Sequence, residues 1–265
     1  MDTEHNSRQS FLGKELSSIC KKTIIAIVGL GGGGSHIVQQ LLHIGFENFK
    51  VFDPDLVEKS NLNRLIGAYM SDVDQKTPKI GVAERMAKLI NSEVKMKAFQ
   101  HKWQEDLSEL EQCDLIFGCL DDLSNRDQLE KFARRNLIPY IDIGVDIIKI
   151  DPEPPQMAGQ VFVSMPGKPC MRCMKLLRRD NLKRDGEKYG DSGPRAQVVW
   201  PNGVLASTAV GLSIQILTSW QGKEEPTYFL SYDGNTGSLT PDVRFEFLKS
   251  QECVHFSLNN VGPVF

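Results

Sequence analysis

The sequence lacks the features of a membrane or exported protein. No apolar stretch in its 265 residues approaches the roughly 18 residues that a membrane-spanning helix requires. Its first ten residues are polar and lack the apolar core of a signal peptide. An excess of one charge is also lacking, since 31 Lys and Arg stand against 34 Asp and Glu. A net charge of −3 gives no reason to expect nucleic acid or an anionic membrane as partner. These absences predict a cytoplasmic protein.

Cysteine is sparse and scattered, with six residues in the chain. Without an export signal, this usage indicates reduced thiols rather than a disulfide framework. Cys170 and Cys173 form a C-x-x-C on a turn, after Pro-Gly-Lys-Pro, which is typical of half a zinc site or of a redox pair. Cys253 and His255, in Glu-Cys-Val-His-Phe, are the plausible partners for the other half. The four residues together favour a structural zinc site.

A glycine run follows the first apolar segment of the chain. Residues 24–28 are rich in β-branched side chains, as expected of a buried parallel strand, and residues 35–44 continue with helical periodicity. Between them Gly29, Gly31 and Gly34 fit the pattern G-x-G-x-x-G. Glycines in this setting let backbone N–H groups approach a phosphate, and a helix N-terminus favours its negative charge.

A second predicted strand, residues 48–52, runs directly into Asp53. That carboxylate lies 19 residues after Gly34, close to the usual distance for an acid that binds a ribose. The chain is therefore predicted to open with a mononucleotide-binding βαβ unit. The glycine motif by itself fits ATP and NAD equally well.

The remaining sequence alternates strand and helix patterns up to about residue 150. This alternation predicts an α/β fold with a Rossmann-like, doubly wound, mostly parallel sheet. We expect an N-terminal arm (1–22), a nucleotide-binding part (23–150) and a C-terminal part (151–265) within one compact domain. Further strands are predicted at 94–99, 114–120, 138–143 and 160–164, a crossover loop at 177–195, a helix at 204–220, and late antiparallel strands at 228–232 and 243–247. Ser124 and Asp127 resemble a capping box that opens another helix.

Charged and amide side chains follow these predicted strands at the edge where ligands bind in such sheets. Asn61 and Arg64, in Ser-Asn-Leu-Asn-Arg, either contact a phosphate or belong to a solvated loop. Lys79 is the second residue of a predicted helix, where a cation opposes the helix dipole unless an anion is bound. Asp121 ends a strand and can hold Mg²⁺ or form a turn.

Taken together, these motifs resemble the ThiF/MoeB/HesA superfamily of ubiquitin-activating-enzyme-like adenylyltransferases. The resemblance runs over nearly the whole chain, and the order and spacing of the motifs are more specific than any one of them. The matching segments are Asn6-Ser-Arg-Gln9, Val28-Gly-Leu-Gly-Gly-Gly-Gly34, Phe52-Asp-Pro-Asp55, Ser60-Asn-Leu-Asn-Arg64, Lys76-Thr-Pro-Lys79, Leu120-Asp121, Gly159-Gln-Val, Pro169-Cys-Met-Arg-Cys173 and Tyr232-Asp-Gly234.

The resemblance implies an enzyme that uses Mg·ATP to adenylate the C-terminal glycine carboxylate of a ubiquitin-like or sulfur-carrier protein ending in Gly-Gly, with release of pyrophosphate. It implies a homodimer in which Arg8 reaches the partner's ATP site. The implied catalytic residues are Arg8, Asn61, Arg64, Lys79 and Asp121, with Asp121 also on Mg²⁺. ATP binding is implied for Gly29, Gly31, Gly32, Gly34, Asp53, Asp55, Asn61, Arg64, Lys79 and Asp121, and zinc binding for Cys170 and Cys173.

The segment 174–203 contains no cysteine, whereas members of the superfamily that form a thioester usually carry one there. We therefore expect the chain to stop at the acyl-adenylate and to pass it to a thiol on a separate acceptor protein.

Three other functions fit parts of the sequence. A nicotinamide-dependent oxidoreductase would use Asp53 on the ribose but would leave Arg64, Lys79 and the C-x-x-C without roles. An enzyme that adenylates a modified tRNA base would share the fold, although no basic stripe is evident. A catalytically inactive scaffold for a ubiquitin-like protein would not need the intact set of charged residues.

Overall fold

The computed structural model describes residues 7–150, 152–177, 196–222, 224–251 and 253–256. Its strands are β1 (Ile24–Val28), β2 (Asn48–Phe52), β3 (Lys95–Phe99), β4 (Leu115–Gly118), β5 (Tyr140–Ile150), β6 (Glu153–Ser164), β7 (Phe229–Asp233) and β8 (Ser238–Pro241). Its α-helices are α1 (Leu16–Lys22), α2 (Gly32–Ile44), α3 (Met70–Asp74), α4 (Lys79–Ile90), α5 (Leu107–Leu110), α6 (Leu123–Arg135), α7 (Val199–Leu217) and α8 (Val243–Leu248). Short 3-10 helices span Ser7–Leu12, Lys59–Asn61 and Trp103–Glu105.

Over the described residues, the eight strands form one sheet in the order β3-β2-β1-β4-β5-β6-β7-β8. The first five run parallel, whereas β6, β7 and β8 continue the sheet by antiparallel pairing. Residues 25–28 of β1 are at most 1% exposed, as expected of a central strand that is covered on both faces. The predicted α/β fold, with antiparallel strands after a mostly parallel part, is confirmed.

The register of the parallel strands determines which residues meet at their carboxyl ends. Val28, the last residue of β1, pairs with Phe52 of β2 and with Gly118 of β4. Phe52 in turn pairs with Phe99 of β3, and Gly118 with Asp142 of β5. The segments that follow these positions therefore emerge side by side at one edge, which is where the predicted site residues lie.

The expected boundary near residue 150 falls inside a long hairpin. β5 and β6 pair from Tyr140 opposite Ser164 out to Ile150 opposite Glu153, so both strands are longer than predicted. The outer residues 153–156 of β6 are exposed, which explains why they lack the apolar pattern of a strand. The expected boundary between residues 150 and 151 lies between these two strands.

The predicted strand at 243–247 was wrong. Val-Arg-Phe-Glu-Phe alternates with the period of a strand, yet this segment forms the short helix α8. Asp242 caps the helix by accepting a hydrogen bond from the backbone N–H of Arg244 at 2.9 Å. Of the apolar side chains, Phe245 is buried against Tyr228, whereas Val243 and Phe247 are 67% and 78% exposed. The last strand of the described chain is instead β8.

Several helices begin earlier than the sequence indicates. Helix α2 begins at Gly32 rather than Ser35, and α7 begins at Val199 rather than residue 204. The capping box predicted at Ser124 is wrong, because α6 is capped by the carboxylate of Asp122, which accepts the N–H of Ser124 at 2.8 Å. Asp127 instead pairs with Arg172 and Lys131 on the side of the helix.

Parts of two predicted segments lie outside the described residues, namely 178–195 of the crossover loop and the first six residues of the arm. Within the described part of the chain, no helix is long and apolar enough to cross a bilayer.

Candidate nucleotide site and metal centre

A cleft opens at the carboxyl edge of the parallel strands. Its walls come from the glycine turn, from the segments after β2, β3 and β4, from residues 143–145 within β5, and from the beginnings of α4, α6 and α7. It gathers residues that are far apart in the sequence but were predicted to share a site. These are Gly29, Gly31, Gly32, Asp53, Asp55, Asn61, Arg64, Lys79 and Asp121.

The glycines of the turn differ in what their missing side chains permit. Gly29 has φ +91°, and a Cβ there would lie 2.5 Å from the carbonyl oxygen of Cys119. Gly34 faces inward, because its Cβ would lie 1.9 Å from the carbonyl oxygen of Gly29. A Cβ on Gly31 would meet nothing within 4 Å. Gly29 and Gly34 thus allow strand and helix to pack closely, while Gly31 leaves open space in the cleft.

The N-terminus of α2 is suited to an anion. Gly31 is its N-cap, and no side chain among the described residues caps it, so the N–H groups of the first turn remain available. Free N–H groups and the helix dipole together favour a phosphate at this position. A Cβ on Gly32 would lie 2.7 Å from Nδ2 of Asn202 in α7, so the glycine lets the first turn of α2 pack closely against α7.

Asp53, Asp55 and Lys79 form a charged cluster beside the glycine turn. The carboxylate of Asp53 is buried and accepts the N–H groups of Leu30 at 2.7 Å and Asp55 at 2.9 Å. Burial raises the pKa of Asp53, and the positive charge of Lys79 partly opposes that shift. Nζ of Lys79 lies 2.7 Å from Asp55 and 3.7 Å from Asp53. Lys79 is the first residue of α4 and lines the cleft. This is where the sequence predicted that its ammonium group could meet a bound anion.

Asn61 and Arg64 also line the cleft, in and after a 3-10 turn. The side-chain oxygen of Asn61 accepts the N–H of Glu58 at 3.0 Å, which leaves its amino group to face a ligand. Nη1 of Arg64 donates to the carbonyl oxygen of Ser60 at 2.8 Å and to Oδ1 of Asn63 at 3.0 Å. These contacts fix one edge of the guanidinium group.

Asp121 is exposed at the end of β4, where the sequence predicted a metal ligand. Its Oδ1 accepts a hydrogen bond from Nε2 of Gln197 at 3.0 Å. The backbone oxygen of Gln197 accepts from Nδ2 of Asn63 at 2.9 Å. The segment before α7 therefore bridges two walls of the cleft.

Two of the residues predicted for the nucleotide site do not line the cleft, namely the inward-facing Gly34 and Arg8 of the arm. Arg8 is exposed, and its neighbour Gln9 donates to the carbonyl oxygen of Ile44 at 2.8 Å. Ile44 is the last residue of the 13-residue helix α2, about 20 Å from the glycine turn at the other end.

The predicted zinc ligands come together as one cluster. Sγ of Cys173 lies 3.6 Å from Sγ of Cys170, 3.6 Å from Sγ of Cys253 and 3.3 Å from Nδ1 of His255. The distance from Sγ of Cys170 to Nδ1 of His255 is 3.5 Å, and all four donor atoms lie within 4.8 Å of one another. Bonds of about 2.3 Å to sulfur and 2.0 Å to nitrogen would give tetrahedral edges of about 3.5–3.8 Å. The donor set therefore fits a tetrahedral zinc ion.

Several lining residues were not identified from the sequence. They include Gln197, Asn202 and Arg126. Asn202 gives a weak signal, because it is a buried amide near the start of a mostly apolar helix. Gln197 precedes a helix, and Arg126 lies among polar residues at the start of a predicted helix, so nothing local distinguishes either from a surface residue.

Known proteins with similar sequences include the molybdopterin-synthase adenylyltransferase of Escherichia coli strain K12. It is 29% identical over 220 residues, which cover 82% of this chain and 81% of that protein. The sulfur carrier protein ThiS adenylyltransferase of Bacillus subtilis is 28% identical over 157 residues, 58% of this chain and 44% of that protein.

Among solved structures, E. coli MccB with ATP has the same fold, with a TM-score of 0.73 at 20% identity over 91% of this chain and 72% of that one. The ThiF family matches residues 5–254, which is nearly the whole sequence. The chain therefore belongs to the ThiF family.

Proposed function

We propose that this chain is an ATP-dependent adenylyltransferase that activates the C-terminal glycine carboxylate of a ubiquitin-like or sulfur-carrier protein. The products are an acyl-adenylate and pyrophosphate. The observation that carries the proposal is the composition of one cleft. An uncapped helix N-terminus, Arg64, Lys79 and the carboxylate of Asp121 line the same space. Family membership and the names of the similar proteins support the same reaction.

The chemistry explains why such a site suffices. Attack of a carboxylate on the α-phosphorus brings two anions together, so the site must neutralise charge and align the reactants. In our proposal the side chains of Asn61, Arg64 and Lys79 contact the phosphates. The backbone N–H groups in the first turn of α2 donate hydrogen bonds to the same phosphates. Lys79 would then exchange its contact with Asp55 for the ligand. The nucleophile and leaving group belong to the substrates, so no nucleophilic side chain is needed.

Asp53 is proposed to bind the ribose. Its two oxygens are already oriented by the N–H groups of Leu30 and Asp55, so the carboxylate presents a fixed direction to a ribose hydroxyl. Asp121 is proposed to hold Mg²⁺, because it offers an exposed carboxylate on the wall of the same cleft. Bound there, the ion would neutralise charge on the phosphate oxygens.

We further propose that Cys170, Cys173, Cys253 and His255 hold a structural zinc ion. The fit of their spacing to a tetrahedron supports this, because four protein donors would fill the coordination of a structural zinc ion. The metal would join the turn after β6 to the segment after α8 and would supply stability rather than chemistry.

We also propose a homodimer in which Arg8 completes the partner's site. The support is that Arg8 lies exposed at the far end of α2 from the cleft of its own chain.

We propose that the acyl-adenylate, made in the cytoplasm, is then passed to a thiol on a separate acceptor protein. The support is that segment 174–203 contains no cysteine.

The oxidoreductase alternative is not favoured by the geometry. A dinucleotide would use the glycine turn and Asp53, but Arg64 and Asp121 of the same cleft would then have no role in binding it. Tight NADH binding without ATP binding would reverse this preference.

The test is ATP–pyrophosphate exchange in the presence of peptides and small proteins that end in Gly-Gly. We expect exchange that depends on such a substrate, is abolished by Asp121→Ala and is reduced roughly 10- to 100-fold by Arg64→Ala, which removes a charge-assisted contact. Lys88→Ala, an exposed lysine on α4, serves as the matched control and should exchange like the wild type. Exchange that survives both cleft substitutions would contradict the residue assignments.

A further inference from the structure

A chain of three hydrogen bonds joins Arg64, a proposed phosphate ligand, to Asp121, the proposed metal ligand. Nη1 of Arg64 donates to Oδ1 of Asn63 at 3.0 Å. Nδ2 of the same amide donates to the backbone oxygen of Gln197 at 2.9 Å. Nε2 of Gln197 then donates to Oδ1 of Asp121 at 3.0 Å. Arg64, Gln197 and Asp121 all line the cleft, so the chain of hydrogen bonds links two residues of the proposed site through a third.

The backbone from which the side chain of Gln197 extends is itself held in place. Asn63 holds the carbonyl oxygen of Gln197, and the next carbonyl oxygen, that of Val198, accepts from Nδ2 of Asn202 at 2.8 Å. Val198 is the N-cap of α7, and Asn202 is buried in the first turn of that helix. Asn202 also packs against Gly32 in the first turn of α2. Two amides from distant segments thus hold consecutive carbonyl groups, and the side chain of Gln197 starts from a defined point.

The contact with Gln197 orients a carboxylate that is otherwise exposed. Asp121 lies on the surface of the cleft, and ordering an exposed side chain on a ligand costs conformational entropy. A carboxylate has about four lone-pair sites, so one hydrogen bond from an amide leaves it able to bind a cation. Mg²⁺ is usually held by only one or two carboxylates, and hydrogen bonds from neighbouring residues orient such ligands.

The two amides suit this task because they carry no charge. A lysine or arginine in place of Gln197 would also donate to Asp121, but its positive charge would oppose a bound cation. Glutamine orients the carboxylate and leaves its full negative charge for the metal. Asn63 offers an oxygen to the guanidinium group of Arg64 and an N–H group to the carbonyl of Gln197, which a charged side chain of similar size cannot do.

We propose that Gln197 is a positioning residue for Asp121, and that Asn63 couples it to Arg64. The ligands of the metal and of the phosphates are then set in one arrangement before the nucleotide binds. This assignment rests on the proposed adenylyl transfer, in which Asp121 holds Mg²⁺. When bound, the ion supplies positive charge to the phosphate oxygens. Gln197 acts only through the carboxylate of Asp121.

The test measures how much Mg²⁺ strengthens the binding of an ATP analogue that cannot release pyrophosphate. Calorimetric titrations in Mg²⁺ and in EDTA give two affinities, and their ratio is the gain due to the metal. Gln197→Met keeps the length of the side chain and removes the donor, and Asn63→Ala removes the support of Gln197. Asp121→Ala is the reference for loss of the metal ligand. Gln75→Met changes an exposed glutamine outside the cleft and is the control.

We expect Gln197→Met to lower the gain due to Mg²⁺ by roughly 3- to 10-fold, as for loss of one hydrogen bond, with the affinity in EDTA and the Tm unchanged. A merely structural defect would lower both affinities together. Asn63→Ala should lower the gain by roughly 2- to 3-fold, and the double variant should be no worse than Gln197→Met, because the two residues act in series. Gln75→Met should behave like the wild type.

Two results would overturn the positioning role alone. One is a Gln197→Met variant that keeps the wild-type gain while Asp121→Ala loses it. The other is a Gln197→Met variant that binds the analogue more tightly in both Mg²⁺ and EDTA, because the contact would then be a latch that closes an empty cleft. If the wild type shows no gain from Mg²⁺, or if Asp121→Ala keeps the gain, the metal site of the proposed function fails and the positioning role fails with it.

Discussion

The glycine turn offers a sharp test because two of its residues predict opposite outcomes for the same substitution. Gly34→Ala places a Cβ 1.9 Å from the carbonyl oxygen of Gly29, where packed atoms need more than 3 Å. The obstacle is backbone of the same turn, so the strand and helix must separate by about 1 Å. Overpacking of a rigid site costs up to about 3 kcal/mol and sometimes more. For a chain of this size, that magnitude lowers the Tm by roughly 6–12 °C.

Gly31→Ala is the matched variant. A Cβ on Gly31 meets nothing within 4 Å, and its φ of −71° suits any residue, so the stability should change by less than about 1 kcal/mol. The new methyl group nevertheless enters the cleft at the N-terminus of α2. ATP affinity should fall by roughly 10- to 100-fold, as expected when charge-assisted contacts to the phosphates are lost.

Thermal unfolding followed by circular dichroism and ATP titration by calorimetry measure the two effects. The reasoning is refuted if Gly34→Ala melts within about 2 °C of the wild type, which is less than the shift expected for 1 kcal/mol. It is also refuted if Gly31→Ala binds Mg·ATP as tightly as the wild type.

Three further predictions concern the metal centre, the dimer and acid stability. Purified protein should contain one zinc per chain, and a metal content near zero would contradict this. Cys253→Ser or a chelator should destabilise the C-terminal half, while ATP should still bind. Mixing inactive Arg8→Ala and Asp121→Ala chains should restore exchange, because a mixed dimer has one complete site; an active monomer would contradict the arrangement. The cap of α8 should weaken in acid, because hydrogen bonds from Arg244 lower the pKa of Asp242 from 3.8 to about 2. Asn caps a helix as well as Asp does, so Asp242→Asn removes only the charge that pairs with Arg244. That charge stabilises the fold above pH 4 and is lost as the pH falls through 2, so the cost of Asp242→Asn in urea unfolding, up to about 1 kcal/mol at pH 7, should shrink over that range; a constant cost would argue against it.

Local patterns predicted the α/β fold and most of the residues that line one cleft. The glycine spacing, Asp53 and Lys79 lie next to strand and helix patterns, so the parallel topology was enough to bring them to one edge. The Cys and His cluster was predictable for another reason. Few residue types bind zinc, and Cys253 with His255 offered a complementary pair for the C-x-x-C.

Contacts between distant segments were not predictable. Gln197 meets Asp121 across 76 positions and Asn63 across 134, and no periodic or compositional signal marks it. Arg126 lies in a polar stretch that reads as a solvated helix face, although its side chain turns inward to Asp142. The alternating pattern at 243–247 wrongly predicted a strand. The cap at Asp242, rather than pairing with another strand, determines the helical backbone there.

The Cys and His cluster has a consequence for the way the chain folds. Cys173 and Cys253 are 80 positions apart, so the proposed zinc ion would close a loop that contains α7, β7, β8 and α8. A crosslink that closes a loop of this length reduces the entropy of the unfolded chain by an amount worth about 4–5 kcal/mol. The loop can close only after residue 255 has left the ribosome, whereas the glycine turn and the first five strands precede it by more than 100 residues. We therefore expect the parallel half to form during synthesis and metal capture to be a late step that locks the antiparallel half onto it.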